Sequence, residues 1–230
     1  MSDLAEALRQ AGKMLAGEEP GVWRIAGLSL ALSVSATAVA CLAALPAASA
    51  LAGTRFRGRR LVDALLSAGM AFPTVLVGLI LFALFARQGP LGTFHLLYTP
   101  ILMGIGQFLL ALPICLVLML SALEAVDPRA RESALLLGAT AAQARRAVRR
   151  EARAGILVAL VAAFSRVITE VGCALIVGGD IRGKTRVLTT AIAGDTRTGD
   201  FARALALGAI LLVVALAVNL VAALLPRRRR

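Results

Sequence analysis

Arg166 and Glu170 stand four residues apart inside an apolar run that covers residues 154–177. Charge at the depth of a hydrocarbon layer is costly, so both side chains are expected to face a bundle interior or an aqueous path. The spacing puts them on one helical face, where two readings are open. They pair internally and lock helices together, arginine before glutamate being the weaker order for such a pair, or they line a route for a polar substrate. Thr169 and Gly172 join them as candidates for a path or gate.

Little else in the sequence carries reaction chemistry. Cys41, Cys115 and Cys173 lie in apolar runs without spacing for a metal or a disulfide and read as small packing residues. His95, the single histidine, has no cysteine or carboxylate at ligand spacing. There is no G-x-S-x-G nucleophile turn and no phosphate-cradling G-x-x-x-x-G-K-[ST], and the loops hold too few carboxylates for paired-acid catalysis. No metal or cofactor is expected in this chain.

The elements that must position these residues are membrane helices. A chain of 230 residues with 59% hydrophobic residues and a mean hydropathy of +0.85 is far more apolar than a soluble core requires. Five runs are long enough to cross a bilayer as helices, at residues 25–45, 65–86, 100–123, 154–177 and 204–225. The fold class expected is an all-α polytopic membrane protein of about five spans, because only helices satisfy their own backbone in lipid. Pro73 and Pro113 should kink the second and third spans. Scattered small residues, Gly69, Gly78, Gly106, Gly172 and Gly178 among them, permit close helix contact.

Residues 1–21 carry Asp3, Glu6, Glu18 and Glu19, which is wrong for a signal peptide. Leu4, Leu8, Ala11 and Leu15 recur at helical spacing, which predicts a short amphipathic surface helix stopped near Pro20, a disordered tail being the alternative. The membrane domain is then 22–226, with a basic tail at 227–230. Basic residues set its orientation. Fifteen lie in the first connection, the elbow at about 124–153 and the tail, against eight on the opposite side. The richer side is expected to be cytoplasmic, which places the amino terminus outside and the carboxyl terminus inside. Arginines at the ends of spans need no nucleic acid to explain the net charge of +12.

The elbow has its own grammar. Asp127-Pro128 is a helix start, with aspartate as cap and proline at the first helical position. A short helix is expected to about Leu137, interrupted at Gly138. Ala139 and Thr140 then lead into a second helix over 141–153, capped by Thr140. Ala134, Leu135, Leu137 and Ala141 leave an apolar ridge beside Glu132 that suits docking into a partner's groove. A chain without a nucleotide cradle that offers the cytosol such an elbow reads as the passive half of a motor.

Glu132, Ser133, Ala134 and Gly138, with glycine six positions after glutamate in a loop before the penultimate span, resemble the coupling motif of ABC importer permeases. Leu137 and Ala139 fall in the same segment. The usual Leu-Pro ending is absent, since Val148-Arg-Arg-Glu151 stands in its place. The stretch from Ser165 to Gly172, followed by Val177 to Ile192, is similar to permeases of the molybdate/tungstate (oxyanion) type, most of all tungstate permeases. It contains Gly178, Gly179, Arg182, Gly183, Thr185, Arg186 and Thr189.

The resemblance, which covers about residues 71–225, implies a type I ABC importer permease core in the bacterial inner membrane. It implies a homodimer with the path on its two-fold axis, and two ATPase subunits on the elbows with ATP and magnesium held in those partners. An extracytoplasmic oxyanion-binding protein docks opposite. Tungstate is the first cargo implied and molybdate or another oxyanion the second. The loop at 178–200 has a net charge of only +1, too weak for an anion funnel, and reads as part of the binding protein's dock or as a solvated connection. The alternatives from other classes are a stand-alone channel, which needs no elbow, and a scaffold subunit of a membrane-embedded enzyme, which needs polar groups the spans barely offer.

Overall fold

The computed structural model describes residues 2–13, 17, 20–54 and 56–224. Among them the chain is helical with no strand. Its helices are α1 (Ser2–Lys13), α2 (Pro20–Leu51), α3 (Arg59–Met70), α4 (Thr74–Phe85), α5 (Pro100–Glu124), α6 (Pro128–Leu136), α7 (Ala141–Glu151), α8 (Arg153–Ile168), α9 (Gly172–Gly178), α10 (Leu188–Thr198) and α11 (Phe201–Leu224). The basic tail and Leu15 lie outside the described residues.

α2, α5 and α11 are each long and apolar enough to cross a membrane alone, and α3 with α4 and α8 with α9 make two further spans if each bent pair is counted as one. The expected second span is therefore two helices meeting at 89°, not one kinked helix. Pro73 explains the break: it forces extended backbone on its neighbour and opens α4 as its cap residue, with φ −63° and ψ 117°. Pro113, by contrast, sits within α5, which continues through it. Pro20 opens α2, as a proline at a helix's first position should. α2 starts earlier and ends later than hydropathy alone indicates.

The core is a close packing of α2, α5 and α8, with α4 and α9 laid against each other and against α5. Small residues permit it. A Cβ on Gly155 of α8 would stand 2.5 Å from Ala122 Cβ of α5. α10 lies between α2 and α11, burying Leu188 and Ala191 with Val22, Ile25 and Leu207, while α1 packs on α11.

Each end of the bundle is pinned. At one, Arg59 donates to Asp63 (2.9 Å), Glu124 (2.7 Å) and the Leu51 carbonyl (2.6 Å), joining the ends of α2 and α5 to the start of α3. At the other, the Tyr98 amide donates to the Val177 carbonyl (2.9 Å) and Arg24 to the Gly183 carbonyl (3.0 Å).

Candidate functional site

The residues singled out in the sequence fall mainly in two places in the fold, the elbow and the break in the fourth span. The first is the elbow. Asp127 caps α6 by accepting the Arg129 amide at 2.9 Å, with Pro128 behind it. Gly138 then turns the chain with φ +85°, a left-handed conformation that suits glycine. Thr140 and Gln143 close a reciprocal capping box on α7: the Thr140 amide donates to the Gln143 side chain at 2.7 Å, and Thr140 Oγ1 accepts the Gln143 amide at 3.3 Å. Helix, bend, helix is thus built from local capping.

What the elbow presents is apolar. Leu136 and Leu137 are each 88% exposed, and Glu132, Ser133 and Leu135 are exposed beside them, with Ala134 and Ala139 half-buried. Leu136, which the ridge pattern omits, is as bare as Leu137. Two adjacent leucines this bare at a helix end form an exposed apolar patch. Beneath the elbow, Arg131, Arg145 and Arg149 line a cleft of about 680 Å3 against the end of α2.

The second feature is the break in the fourth span. α8 stops at Ile168 and α9 begins at Gly172, 58° away, so Glu170 sits in the break and not on a continuous helix as the spacing implies. Thr169 Oγ1 bonds back to the Ser165 carbonyl (3.1 Å), holding the last turn of α8. Arg166 does pair with Glu170: Nη1 donates to Oε2 at 2.8 Å. The other carboxylate oxygen accepts the Cys173 amide at 3.1 Å, an N–H at the start of α9 that has no helical acceptor.

Exposure separates the pair. The Glu170 side chain is 4% exposed and the Arg166 side chain 41%. Glu170 is thus enclosed by the fold, while Arg166 is partly exposed and Thr169 is exposed close by on α8's last turn. Asn219 donates to Ser165 Oγ at 3.1 Å. Neither Asn219 nor Ser165 is marked by sequence spacing; their juxtaposition needs α8 against α11. Gly172 is required by proximity, since a Cβ there would lie 2.8 Å from Val75 Cγ2 and 3.2 Å from Thr74 Oγ1, at the start of α4. The two broken spans therefore meet at their breaks.

The segment expected as an external loop is mostly folded inward. Thr185, Arg186 and Thr189 are buried, and from Leu188 onward the chain is α10. Thr185 Oγ1 donates to the Gly178 carbonyl (2.6 Å) and accepts the Ile181 amide (3.0 Å). Arg186 bonds Asp195 at 2.9 Å and lies 3.3 Å from Asp180. Thr189 Oγ1 donates to the Glu170 carbonyl at 2.7 Å. Gly179 and Gly183 make the left-handed turns (φ +70° and +77°), and Gly178 is packed on Met103. Residues 181–184, with Arg182, Gly183 and Lys184, project outward, as do Gly179 and residues 196–200 at the end of the segment.

Cys41 and Cys115, 74 residues apart, bring their thiols to 3.3 Å between α2 and α5. Among the described residues no group of His, Cys, Asp or Glu is arranged to hold a metal ion.

Residues 40–230 match the family described as binding-protein-dependent transport system inner membrane component. A probable anion ABC transporter permease protein of Haloferax volcanii is 44% identical over 200 residues, 85% of this chain and 86% of its own length. The tungstate uptake system permease protein TupB of Peptoclostridium acidaminophilum is 39% identical over 221 residues, 96% and 97% of the two chains. Among solved structures, that of an amino acid ABC transporter with histidines superposes with a TM-score of 0.64 at 20% identity, covering 91% of this chain and 94% of that one, a likeness of fold.

Proposed function

This chain belongs to the family of binding-protein-dependent transport system inner membrane components, and on that premise we propose that it is the membrane permease of an ATP-driven tungstate importer. Molybdate is the second cargo on this reading. The observation that carries the coupling role is the elbow, with Leu136 and Leu137 bare on a bend fixed by Gly138 and the Thr140 cap. The near full-length likeness to a tungstate uptake permease supports the cargo.

Two ATPase subunits, holding ATP and magnesium, dock on the elbows of a homodimer from the cytosol, and a tungstate-binding protein docks on the opposite face. This orientation puts the amino terminus outside and rests on the charge bias of the connections. The second copy is supported by the polar strip of Ser165, Arg166, Thr169 and Asn219, which is costly against lipid and is relieved by an aqueous path between two copies. Closure of the ATPases moves each elbow as a rigid body, and the breaks at residues 71–73 and 169–171 let the half-helices α4 and α9 tilt. Arg166 then meets the passing dianion while Glu170 holds the arginine in place.

The test is uptake. Proteoliposomes containing this chain with the partner ATPase should accumulate tungstate only when ATP and the loaded binding protein are both supplied. Accumulation without ATP would favour a stand-alone channel and overturn the proposal.

A further inference from the structure

A cavity of about 570 Å3 opens between the first turns of α2, the turn at residues 182–184 and the start of α11. Five of the residues around it are basic: Arg24, Arg182, Lys184, Arg186 and Arg203. Among the described residues its lining holds no carboxylate. Asp180 and Asp195 stand behind it, bound to Arg186 and Arg203. Two arginines are thereby balanced by two aspartates, which leaves Arg24, Arg182 and Lys184 as excess positive charge around one concavity. Such a concentration of charge in a walled pocket draws anions.

Two further details point to a ligand. Arg186 is only 6% exposed, yet its Nη1 is buried without a hydrogen-bond partner, while Nη2 is held by Asp195. A buried guanidinium nitrogen without an acceptor is uncommon, and an oxyanion would satisfy it. Arg24 is tied to the Gly183 carbonyl at 3.0 Å, which fixes the turn carrying Arg182 and Lys184 over the mouth of the cavity. The glycine at 183, with φ +77°, keeps that turn tight. On the α2 wall Gly21 and Gly27 add no side chain beside Arg24, Ile25, Leu28 and Ala31.

We propose that this cavity binds a tetrahedral oxyanion, either the phosphate of an anionic lipid headgroup or a free oxyanion. It lies at the α2 end of the bundle, apart from Arg166, and does not depend on the transport reading. The volume exceeds one tetrahedral ion, so the site admits a hydrated ion or a headgroup.

Trp23, the chain's single tryptophan, adjoins Arg24 and is 51% exposed, which makes it a reporter. The purified full chain is placed in nanodiscs of phosphatidylcholine and titrated with potassium phosphate and with sodium tungstate against chloride at constant ionic strength. In a second arm the discs carry increasing phosphatidylglycerol. A saturable change in Trp23 emission in the first arm identifies a free oxyanion, and one in the second identifies the lipid phosphate. Either supports the site. Arg182→Gln with Lys184→Gln removes two exposed charges and should weaken the response about tenfold or more, while Arg182→Lys with Lys184→Arg should retain it. No saturable change in either arm, or an unaltered curve in the glutamine double variant, overturns the proposal.

Discussion

Thr189 donates its hydroxyl to the backbone carbonyl of Glu170 at 2.7 Å, and so fastens the first turn of α10 to the break between α8 and α9. Glu170 uses its side chain on Arg166 and on the Cys173 amide. One residue thus joins both halves of a broken span to the folded segment that follows it. The start of α10 is thereby connected to Arg166 through the backbone and side chain of Glu170.

Thr189→Val keeps the shape and removes the donor, leaving a buried carbonyl unpaired at a cost of about 1–3 kcal/mol. Tungstate uptake in proteoliposomes should fall, and Thr189→Ser should restore most of it. Equal uptake by the valine and native chains would break the link between this segment and the gate.

α5 and α9 approach so closely that a Cβ on Gly106 would stand 2.6 Å from Cys173 Sγ. Gly106→Ala should destabilise the chain by about 1–3 kcal/mol through overpacking. Cys173→Ala removes the opposing sulfur, so the double variant should be more stable than Gly106→Ala alone. Thermal unfolding of the four chains in detergent reads this coupling; strict additivity would contradict the packing described.

Asp195, 3% exposed, holds Arg186 at 2.9 Å and lies 3.6 Å from Arg203. Asp195→Ala strands buried guanidinium charge and should cost about 3–5 kcal/mol, a far larger loss than truncating a surface pair. The unfolding midpoint of the variant in detergent checks this, and an unchanged midpoint contradicts a buried cluster.

Gly138 has φ +85°, and the place a Cβ would take has no other atom within 4 Å, so backbone strain and not crowding opposes a side chain there. Gly138→Val should strain the bend by about 1–2 kcal/mol or more and turn the leucine ridge. The variant should insert into membranes normally and lose uptake while the ATPase still hydrolyses. Unchanged uptake would remove the docking role from this bend.

The elbow is the most legible part of the chain because its structure is local. Asp127, Pro128, Gly138 and Thr140 each act within four residues, and each performs the capping or turning role its type predicts. Hydropathy finds the spans but not the two breaks. An apolar run reads the same whether straight or bent, and what bends the fourth span is the Glu170 carboxylate capping Cys173 together with Gly172 against α4, both visible only after packing.

The segment at 178–200 is hard to read for the same reason. Its charges nearly cancel in sequence, which suggests a solvated loop, whereas in the fold Arg186 and Asp195 cancel each other inside the protein. The thiol pair of Cys41 and Cys115 and the Ser165–Asn219 contact are likewise products of helix packing that no spacing in the sequence records.

Passage of tungstate driven by an ATPase at the elbows is the function proposed for this chain. The most direct measurement is ATP hydrolysis by the reconstituted permease and ATPase with the binding protein added empty, molybdate-loaded or tungstate-loaded. The highest rate is expected with tungstate and the second with molybdate, and Gly138→Val should lose that stimulation. A tungstate rate no higher than the empty or molybdate-loaded rate would contradict it.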